Sequence, residues 1–321
     1  MRDIRIGAAQ FENVNGDKDH NLAAIARLAE QAAEAGAEAV SFHEGCVPAY
    51  TFTRNLDKPA LSDLAEPIPD GPSTRTLIEI AGDLSVVLLA GLIERDGDQL
   101  YNAYVCVDGS GLIAKHRKLH AFINPHLTNG DDYTVFDLNG VRCGLLTCFD
   151  NNISENVRIT TLMGAEVIFM PHVTCCLPST MPGRGFVDAA LWENRQRDPV
   201  ALRQEIMGPK GRGWLMRWLP ARAWENGIYA VFTNPVGMDD DQVRNGNAMI
   251  VDPHGEILVE TNALGDDVVV GLCVGEKIEE SSGRRYLRAR RPELYGKLVE
   301  ERDQPAVIDS GWGVVKEDDG G

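Results

Sequence analysis

Positive charge is scarce in this sequence: 31 Lys and Arg stand against 48 Asp and Glu, a formal net charge of −17. So anionic a chain is poorly suited to nucleic acid or an anionic membrane, since both demand a basic face. Long apolar runs are missing as well. No stretch approaches the ~18 uninterrupted apolar residues of a membrane-crossing helix. The N-terminus, Met1-Arg2-Asp3-Ile4-Arg5-Ile6-Gly7, opens straight onto a strand-like pattern without an apolar leader or a small-residue cleavage site. A disulfide framework is also lacking. The cysteines at 46, 106, 143, 148, 175, 176 and 273 are odd in number and scattered, which suits reduced thiols and a cytoplasmic home. Gly-rich phosphate loops, internal repeats and low-complexity tracts are absent, so no nucleotide dependence is expected.

What is present is an alternation of strand and helix patterns. Residues 3–9 alternate as a strand. From Asn21 to Ala35 the positions Leu22, Ile25, Leu28, Ala29 and Ala32 form one helical stripe, stopped by Gly36 and followed by a strand at 38–42. Such a strand–helix–strand unit is the building block of α/β folds. The turn signal Pro69-Asp70-Gly71-Pro72 precedes a helix over 73–82. Strands then follow at 86–93, 101–107, 111–117 and 141–147, a helix at 153–163 and a strand at 166–170. An irregular stretch rich in Pro and Gly leads to helical patterns at 199–206 and 213–226, strands at 228–233, 248–252, 257–260 and 268–274, and a last helical segment at 292–300. One domain over 1–300 and a partly disordered tail over 301–321 are expected.

Three side chains at strand ends carry the chemistry. Cys148 closes an apolar strand and precedes Phe149-Asp150-Asn151-Asn152, a helix-start sequence. A thiol there is exposed on a rigid support near a helix N-terminus, which favours thiolate; taken alone, the commoner reading of such a cysteine is a small buried hydrophobe. Glu44 follows the strand at 38–42, where open sheets place their sites, and Lys118 ends the strand at 111–117. Each alone is readable as an ordinary solvated charge.

Order and spacing make the three a set. Phe42-His43-Glu44-Gly45, Leu100-Tyr101-Asn102-Ala103, Lys115-His116-Arg117-Lys118-Leu119-His120, Gly144-Leu145-Leu146-Thr147-Cys148-Phe149-Asp150, Ala221-Arg222-Ala223-Trp224-Glu225-Asn226, Asp252-Pro253-His254-Gly255-Glu256 and Arg290-Arg291-Pro292-Glu293-Leu294-Tyr295 succeed one another along the chain. In this order the sequence resembles the nitrilase superfamily, whose amidases and carbamoylases use a Glu–Lys–Cys triad. The resemblance spans Ile4 to about Glu300 and implies a four-layer α-β-β-α sandwich with two mixed β-sheets, assembled as a homodimer or larger. It also implies hydrolysis of small amide, carbamoyl or nitrile substrates without cofactor or metal, with Glu44 as general base, Lys118 as oxyanion partner and Cys148 as nucleophile. Cys-Phe-Asp after the nucleophile strand resembles the amide and carbamoyl branches, so a nitrile is the alternative substrate. The same fold can also serve as a non-catalytic scaffold, and the same thioester can pass its acyl group to an amine instead of water; both stay open.

The residue types suit the reaction. A free thiol giving its proton to a free glutamate is uphill by ~4 pKa units, ~5.7 kcal/mol. Burial is expected to raise Glu44, and Lys118 with the helix start to lower Cys148, closing the gap. The Phe149 backbone N–H is the expected second oxyanion donor. Two departures from the family pattern bear on substrate. The segment 121–130 holds no acid where many members carry a second glutamate, leaving Asn124 and His126 as its polar candidates. The stretch 173–219 is long, and His172, Thr174, Cys175, Cys176 and Arg184 border the expected pocket, Arg184 with the charge to pair a substrate carboxylate. His116 and His120 have the i, i+4 spacing of a metal pair, yet on a strand end that spacing does not set them side by side.

Overall fold

Strand after strand in this protein carries apolar side chains on both faces, so a sheet built from them must be covered on both sides. The computed structural model describes residues 1–176 and 185–300. Its first sheet runs, edge to edge, Asp267–Cys273, Ile4–Gln10, Ala39–Ser41, Val87–Asp96, Gln99–Asp108 and Gly111–Arg117, with Leu127–Thr128 paired onto Gln99–Asp108. Its second runs Ile257–Glu260, Met249–Val251, Tyr229–Thr233, Val167–Pro171, Val141–Leu145 and Thr134–Leu138. Each sheet has a parallel centre of three strands flanked by antiparallel neighbours.

The period-2 alternation shows how the layers stack. Ile4, Ile6, Val87, Leu89, Tyr104 and Cys106 point from the first sheet to the same apolar core as Val167, Phe169, Tyr229 and Val231 from the second. Their neighbours Leu88, Ala90, Val105 and Val107 face outward onto Leu22, Ile25, Leu28, Leu77 and Ala81 of the helices Lys18–Glu34 and Pro72–Leu84. On the far side Ile168, Met170, Ala230 and Phe232 meet Val157, Leu219 and Ala223 of the helices Ser154–Leu162 and Leu219–Asn226. The order is therefore helix, sheet, sheet, helix: the expected four-layer sandwich with two mixed sheets.

The elements differ from the sequence reading where a local signal was weak or split. The helix Lys18–Glu34 buries Leu22, Ile25, Leu28, Ala29 and Ala32 as expected, and starts earlier because Asp17 accepts from the His20 N–H. The pattern over 213–226 divides into Arg212–Leu215 and Leu219–Asn226, the second beginning with Pro220 in its first turn. The segment 292–300 forms two single 3₁₀ turns interrupted near Gly296. The strand Thr134–Leu138, the hairpin Val236–Asp239 with Gln242–Asn245, and the helices Lys58–Leu64, Gly275–Glu280 and Ser282–Arg288 were not anticipated. After Cys148 comes a 3₁₀ turn, Cys148–Asn152, and the α-helix begins only at Ser154. The helix N-terminus expected beside the thiol is thus displaced from it. Arg184 and the tail over 301–321 lie outside the described residues.

Candidate active site

Glu44, Lys118, Cys148 and Val173 each lie within three residues of a strand's end, where the ladder stops and side chains turn toward a shared space. Beyond Ala39–Ser41 the chain crosses over the neighbouring strand, with Phe42 N–H on Leu89 O at 2.9 Å and Val47 N–H on Gly91 O at 3.0 Å. The crossing needs Gly91. A Cβ there would lie 2.2 Å from the Gly45 nitrogen and 3.0 Å from the Glu44 carbonyl carbon. The tight crossing places the Glu44 side chain inside the protein, fully buried.

Glu44 is fastened by three donors. Lys118 Nζ donates to Oε1 at 2.7 Å, Asn102 Nδ2 to the same oxygen at 2.6 Å, and the Val173 N–H to Oε2 at 3.1 Å. Asn102 also fixes the lysine, because its backbone carbonyl accepts the Lys118 N–H at 2.9 Å. The Cys148 Sγ–H is directed at the Val173 carbonyl at 3.7 Å. One peptide unit on each side of Val173 therefore touches base and nucleophile. Cys148 itself is held at φ 52°, a left-handed conformation that costs a non-glycine residue ~1–2 kcal/mol and turns the thiol out of the strand direction.

Charge in the site is tightly constrained. Burial, and after it the Glu44 carboxylate, push the Cys148 thiol up to about 12, with Lys118 pulling the other way. The resting thiol is neutral, contrary to the lowered value expected from a helix start and the lysine. Burial opposes the Lys118 ammonium, but Glu44 in contact, with Tyr50, Cys148 and Asp150 beyond, holds it well above the usual lysine range. A buried ion pair of this kind adds little net stability, yet removing one partner strands the other charge at a cost of ~3–5 kcal/mol.

Asp150, two residues past the nucleophile, joins the lysine loop to the cysteine loop. Its carboxylate accepts the Leu119 N–H at 3.1 Å, the His120 N–H at 3.0 Å, His120 Nδ1 at 2.7 Å and the Thr147 N–H at 3.3 Å. His116 Nε2 stands 3.6 Å away. Burial works against this charge, but the neighbouring His116 ring, the His120 hydrogen bonds and the Lys118 charge keep the Asp150 carboxyl well below the usual carboxylate range. The two histidines thus converge on a carboxylate. Among the described residues no group of three His, Cys, Asp or Glu is arranged to hold a metal ion.

A deep site of acid, ammonium and thiol between two sheets narrows the chemistry, and comparison with known proteins decides the family. The pattern of the carbon–nitrogen hydrolase family matches residues 5–280. The chain belongs to that family. It is a hydrolase of carbon–nitrogen bonds. It is 29% identical over 270 residues to a nitrilase of Pyrococcus abyssi, covering 83% of this chain and 88% of the relative. With an (R)-stereoselective amidase of a Pseudomonas species it shares 30% identity over 249 residues, 76% of this chain and 77% of that one. With a citrullinase of Francisella tularensis it shares 25% over 313 residues, 93% and 99% of the two chains. Among solved structures, a nitrilase-superfamily amidase of Nesterenkonia AN1 superposes with a TM-score of 0.68 at 21% identity, over 92% of this chain and 97% of the other. That likeness concerns the fold.

In this carbon–nitrogen hydrolase the remaining sequence candidates have distinct places. Phe149 follows Cys148 directly, and its ring packs edge-on against His120 and Phe122 at centroid distances of 5.8 and 5.7 Å. Asn124 is buried, but its amide donates to the Thr53 and Leu56 carbonyls at 2.7 and 2.8 Å and its oxygen accepts the His126 N–H at 2.9 Å. These bonds brace the 3₁₀ turn Thr51–Asn55, and His126 is exposed; the structure gives neither a contact with Glu44, Lys118 or Cys148. His172 is buried against Trp218 and Phe232 at 5.3 and 5.0 Å, with Nε2 3.3 Å from Asn151 Nδ2. Thr174 is gripped through its backbone: its N–H donates to Asn234 Oδ1 at 2.8 Å and its carbonyl accepts Asn234 Nδ2 at 3.2 Å. Both residues therefore support the Val173 turn from below.

Residues that sequence reasoning passed over are Tyr50, Asn102, Val173 and Asn234. Asn102 stands inside the lysine segment, and its polar side chain among apolar strand neighbours was the available signal. Tyr50 places its hydroxyl 3.2 Å from Lys118 Nζ; nothing local marks it. The roles of Val173 and Asn234 are backbone geometry and leave no trace in residue type.

Proposed function

We propose that the protein hydrolyses small amide or carbamoyl compounds through a thioester on Cys148, with Glu44 as general base and acid and Lys118 as electrostatic partner. The observation that carries this reading is the shared Val173 backbone: its N–H holds Glu44 Oε2 and its carbonyl receives the Cys148 thiol, while Lys118 Nζ sits on the other Glu44 oxygen. Base and nucleophile are thus within one residue's span of each other, and the base is charge-paired.

The resting state and the reaction are consistent. A thiol pushed up to about 12 gives no free thiolate at neutral pH, so proton transfer to Glu44 accompanies attack on the carbonyl carbon. Lys118 and the Phe149 backbone N–H stabilise the oxyanion. Glu44 then gives its proton to the departing nitrogen, the carbon–nitrogen bond breaks, and a thioester remains. Water activated by Glu44 cleaves the thioester and restores the thiol. Aspartate after Cys-Phe supports amide and ureido substrates over nitriles. Relatives named amidase and citrullinase support the same choice, a relative named nitrilase supports the alternative, and a glutamate-to-glutamine mutant of the Nesterenkonia amidase shows covalent addition of the acetamide moiety of fluoroacetamide at its active-site cysteine.

The test is a panel of matched small amides, carbamoyl compounds and nitriles with an ammonia readout. Release from amides or carbamoyl compounds in preference to the matching nitriles is expected. Release from nitriles alone would replace the substrate class, and no release from any of them would leave the scaffold reading standing.

A further inference from the structure

Lys118 Nζ carries three protons. One is given to Glu44 at 2.7 Å and one to the Tyr50 hydroxyl at 3.2 Å, so the third is free to meet a bound carbonyl oxygen. The Tyr50 oxygen accepts from the lysine, which leaves its own proton directed elsewhere. Among the described residues no acceptor for that proton is present. A buried phenol with an unspent donor at the triad is a costly arrangement unless a ligand completes it.

Tyr50 is also rigid. Its backbone carbonyl accepts the Thr53 N–H at 3.0 Å and the Thr53 hydroxyl at 2.7 Å. Its side chain packs so closely on the Glu44 loop that a Cβ on Gly45 would lie 3.0 Å from the Tyr50 Cβ and 3.2 Å from its ring Cδ2. The Lys118 ammonium lies 5.2 Å from the ring centroid of Tyr50 and 4.7 Å from that of Phe122, so two aromatic walls fix the cation in place. Burial, and after it the Glu44 carboxylate, hold the phenol well above its usual range, with Lys118 opposing. It is a neutral O–H donor throughout the working range of pH.

We propose that Tyr50 is a catalytic residue, its phenolic O–H donating to the carbonyl oxygen of the substrate and sharing the developing oxyanion with Lys118. The inference rests on the thioester reading above. As Cys148 Sγ bonds to the carbonyl carbon, its proton passes to Glu44 and the carbonyl π pair moves onto the oxygen. Tyr50 keeps its proton and strengthens a hydrogen bond to that oxygen. When the intermediate collapses the pair returns, the carbon–nitrogen bond breaks, and the leaving nitrogen takes the proton held by Glu44. Preorganised donors contribute to rate because they meet charge that exists only in the transition state.

Tyr50→Phe removes one oxygen and keeps the aromatic wall. Two reactions of Cys148 separate a catalytic role from a structural one. Acylation by p-nitrophenyl acetate, followed as the nitrophenolate burst, builds an oxyanion. Disulfide exchange with methyl methanethiosulfonate does not. The expected result is a loss of about 10²–10³-fold in the acylation rate and in kcat on any amide hydrolysed, with disulfide exchange within about threefold of wild type. Acylation within about threefold of wild type overturns the proposal, and so does a parallel fall in both reactions, which would make Tyr50 a prop for Lys118. A wild-type burst without turnover of any amide would instead contradict the substrate class, and the ester comparison would still decide Tyr50.

Discussion

Cys148 and Glu44 divide one task between them, and the resting site shows how. The thiol, pushed up to about 12, does not ionise alone, so its reactivity must be borrowed from the carboxylate. Glu44→Gln keeps the shape and removes the base. The rate of Cys148 thiol modification at neutral pH is therefore expected to fall by about 10²–10⁴-fold, measured by peptide mass spectrometry against the other six buried cysteines. An unchanged rate would mean that the thiol is primed by something other than Glu44. Asp150 makes a second prediction. Asp150→Asn would turn an NH₂ toward the N–H groups of Leu119, His120 or Thr147, all of which now donate to its oxygens, and should cost about 2–4 kcal/mol in a denaturant midpoint experiment. Because the folded carboxyl lies below its unfolded value of ~3.9, its stabilisation is complete above that pH and is lost as the pH falls toward the folded value. The acid limb of stability below pH ~4 should be flatter in the variant. Glu44, Lys118 and Cys148 were legible because each ends a strand inside an ordered motif. Tyr50 was not, since a tyrosine in Pro48-Ala49-Tyr50 looks like any loop aromatic until its hydroxyl is seen on the lysine. The lowered thiol value was misread for a definite reason: capping residues after Cys148 signal a helix start, but they serve a single 3₁₀ turn in which Thr147 and Asp150 cap each other.

Among the elements, the crossing of the Glu44 loop over Val87–Asp96 sets the geometry of the base. Gly91→Ala would drive a methyl group into the Gly45 backbone, which cannot rotate away as a side chain would. A stability loss of about 3 kcal/mol, at the upper end for overpacking, is expected, together with a fall in kcat of about 10²-fold from a misplaced carboxylate. Thermal melting and steady-state kinetics check both, and a variant with wild-type kcat would show that the base tolerates displacement. The turn at 172–176 is organised on the same principle. Cys175 and Cys176 both have left-handed backbones, φ 64° and 52°, and are held in place by neighbours: Arg244 donates to the Cys175 carbonyl at 3.1 Å and the Cys176 N–H reaches the Lys210 carbonyl at 2.9 Å. Strain next to a reactive centre persists only where the surroundings over-determine it. Periodicity revealed the helices with a clean apolar stripe and most core strands. It missed the hairpin Val236–Asp239 with Gln242–Asn245, where buried Asp239, Gln242, Arg244 and Asn245 take positions that usually read as polar loop. Their burial is offset by mutual bonds, such as Arg244 to Asp239 at 2.8 Å, that no local window reveals.

Across the whole molecule, the sandwich brings distant segments to one point: Glu44 and Lys118 belong to the first sheet, Cys148 and Val173 to the second. The core between the sheets is built on a large apolar cluster, so the low-dielectric setting that strengthens the site's electrostatics is a property of the fold. The layer order followed from family resemblance; composition alone says that sheets exist, not how they stack. The outer helical layer leaves Ile159, Leu162 and Met163 of one helical segment and Trp224 of the next 37–46% exposed, apolar surface that self-association would cover. Sedimentation is expected to give at least twice the 35.1 kDa chain mass, and a single-chain mass at micromolar protein would contradict it. The account as a whole rests on sulfur chemistry at one position. The decisive measurement is kcat of Cys148→Ala on an amide that the wild type hydrolyses. The account predicts a fall of at least about 10⁴-fold in a protein with an unchanged melting profile, whereas turnover at the wild-type rate would contradict it.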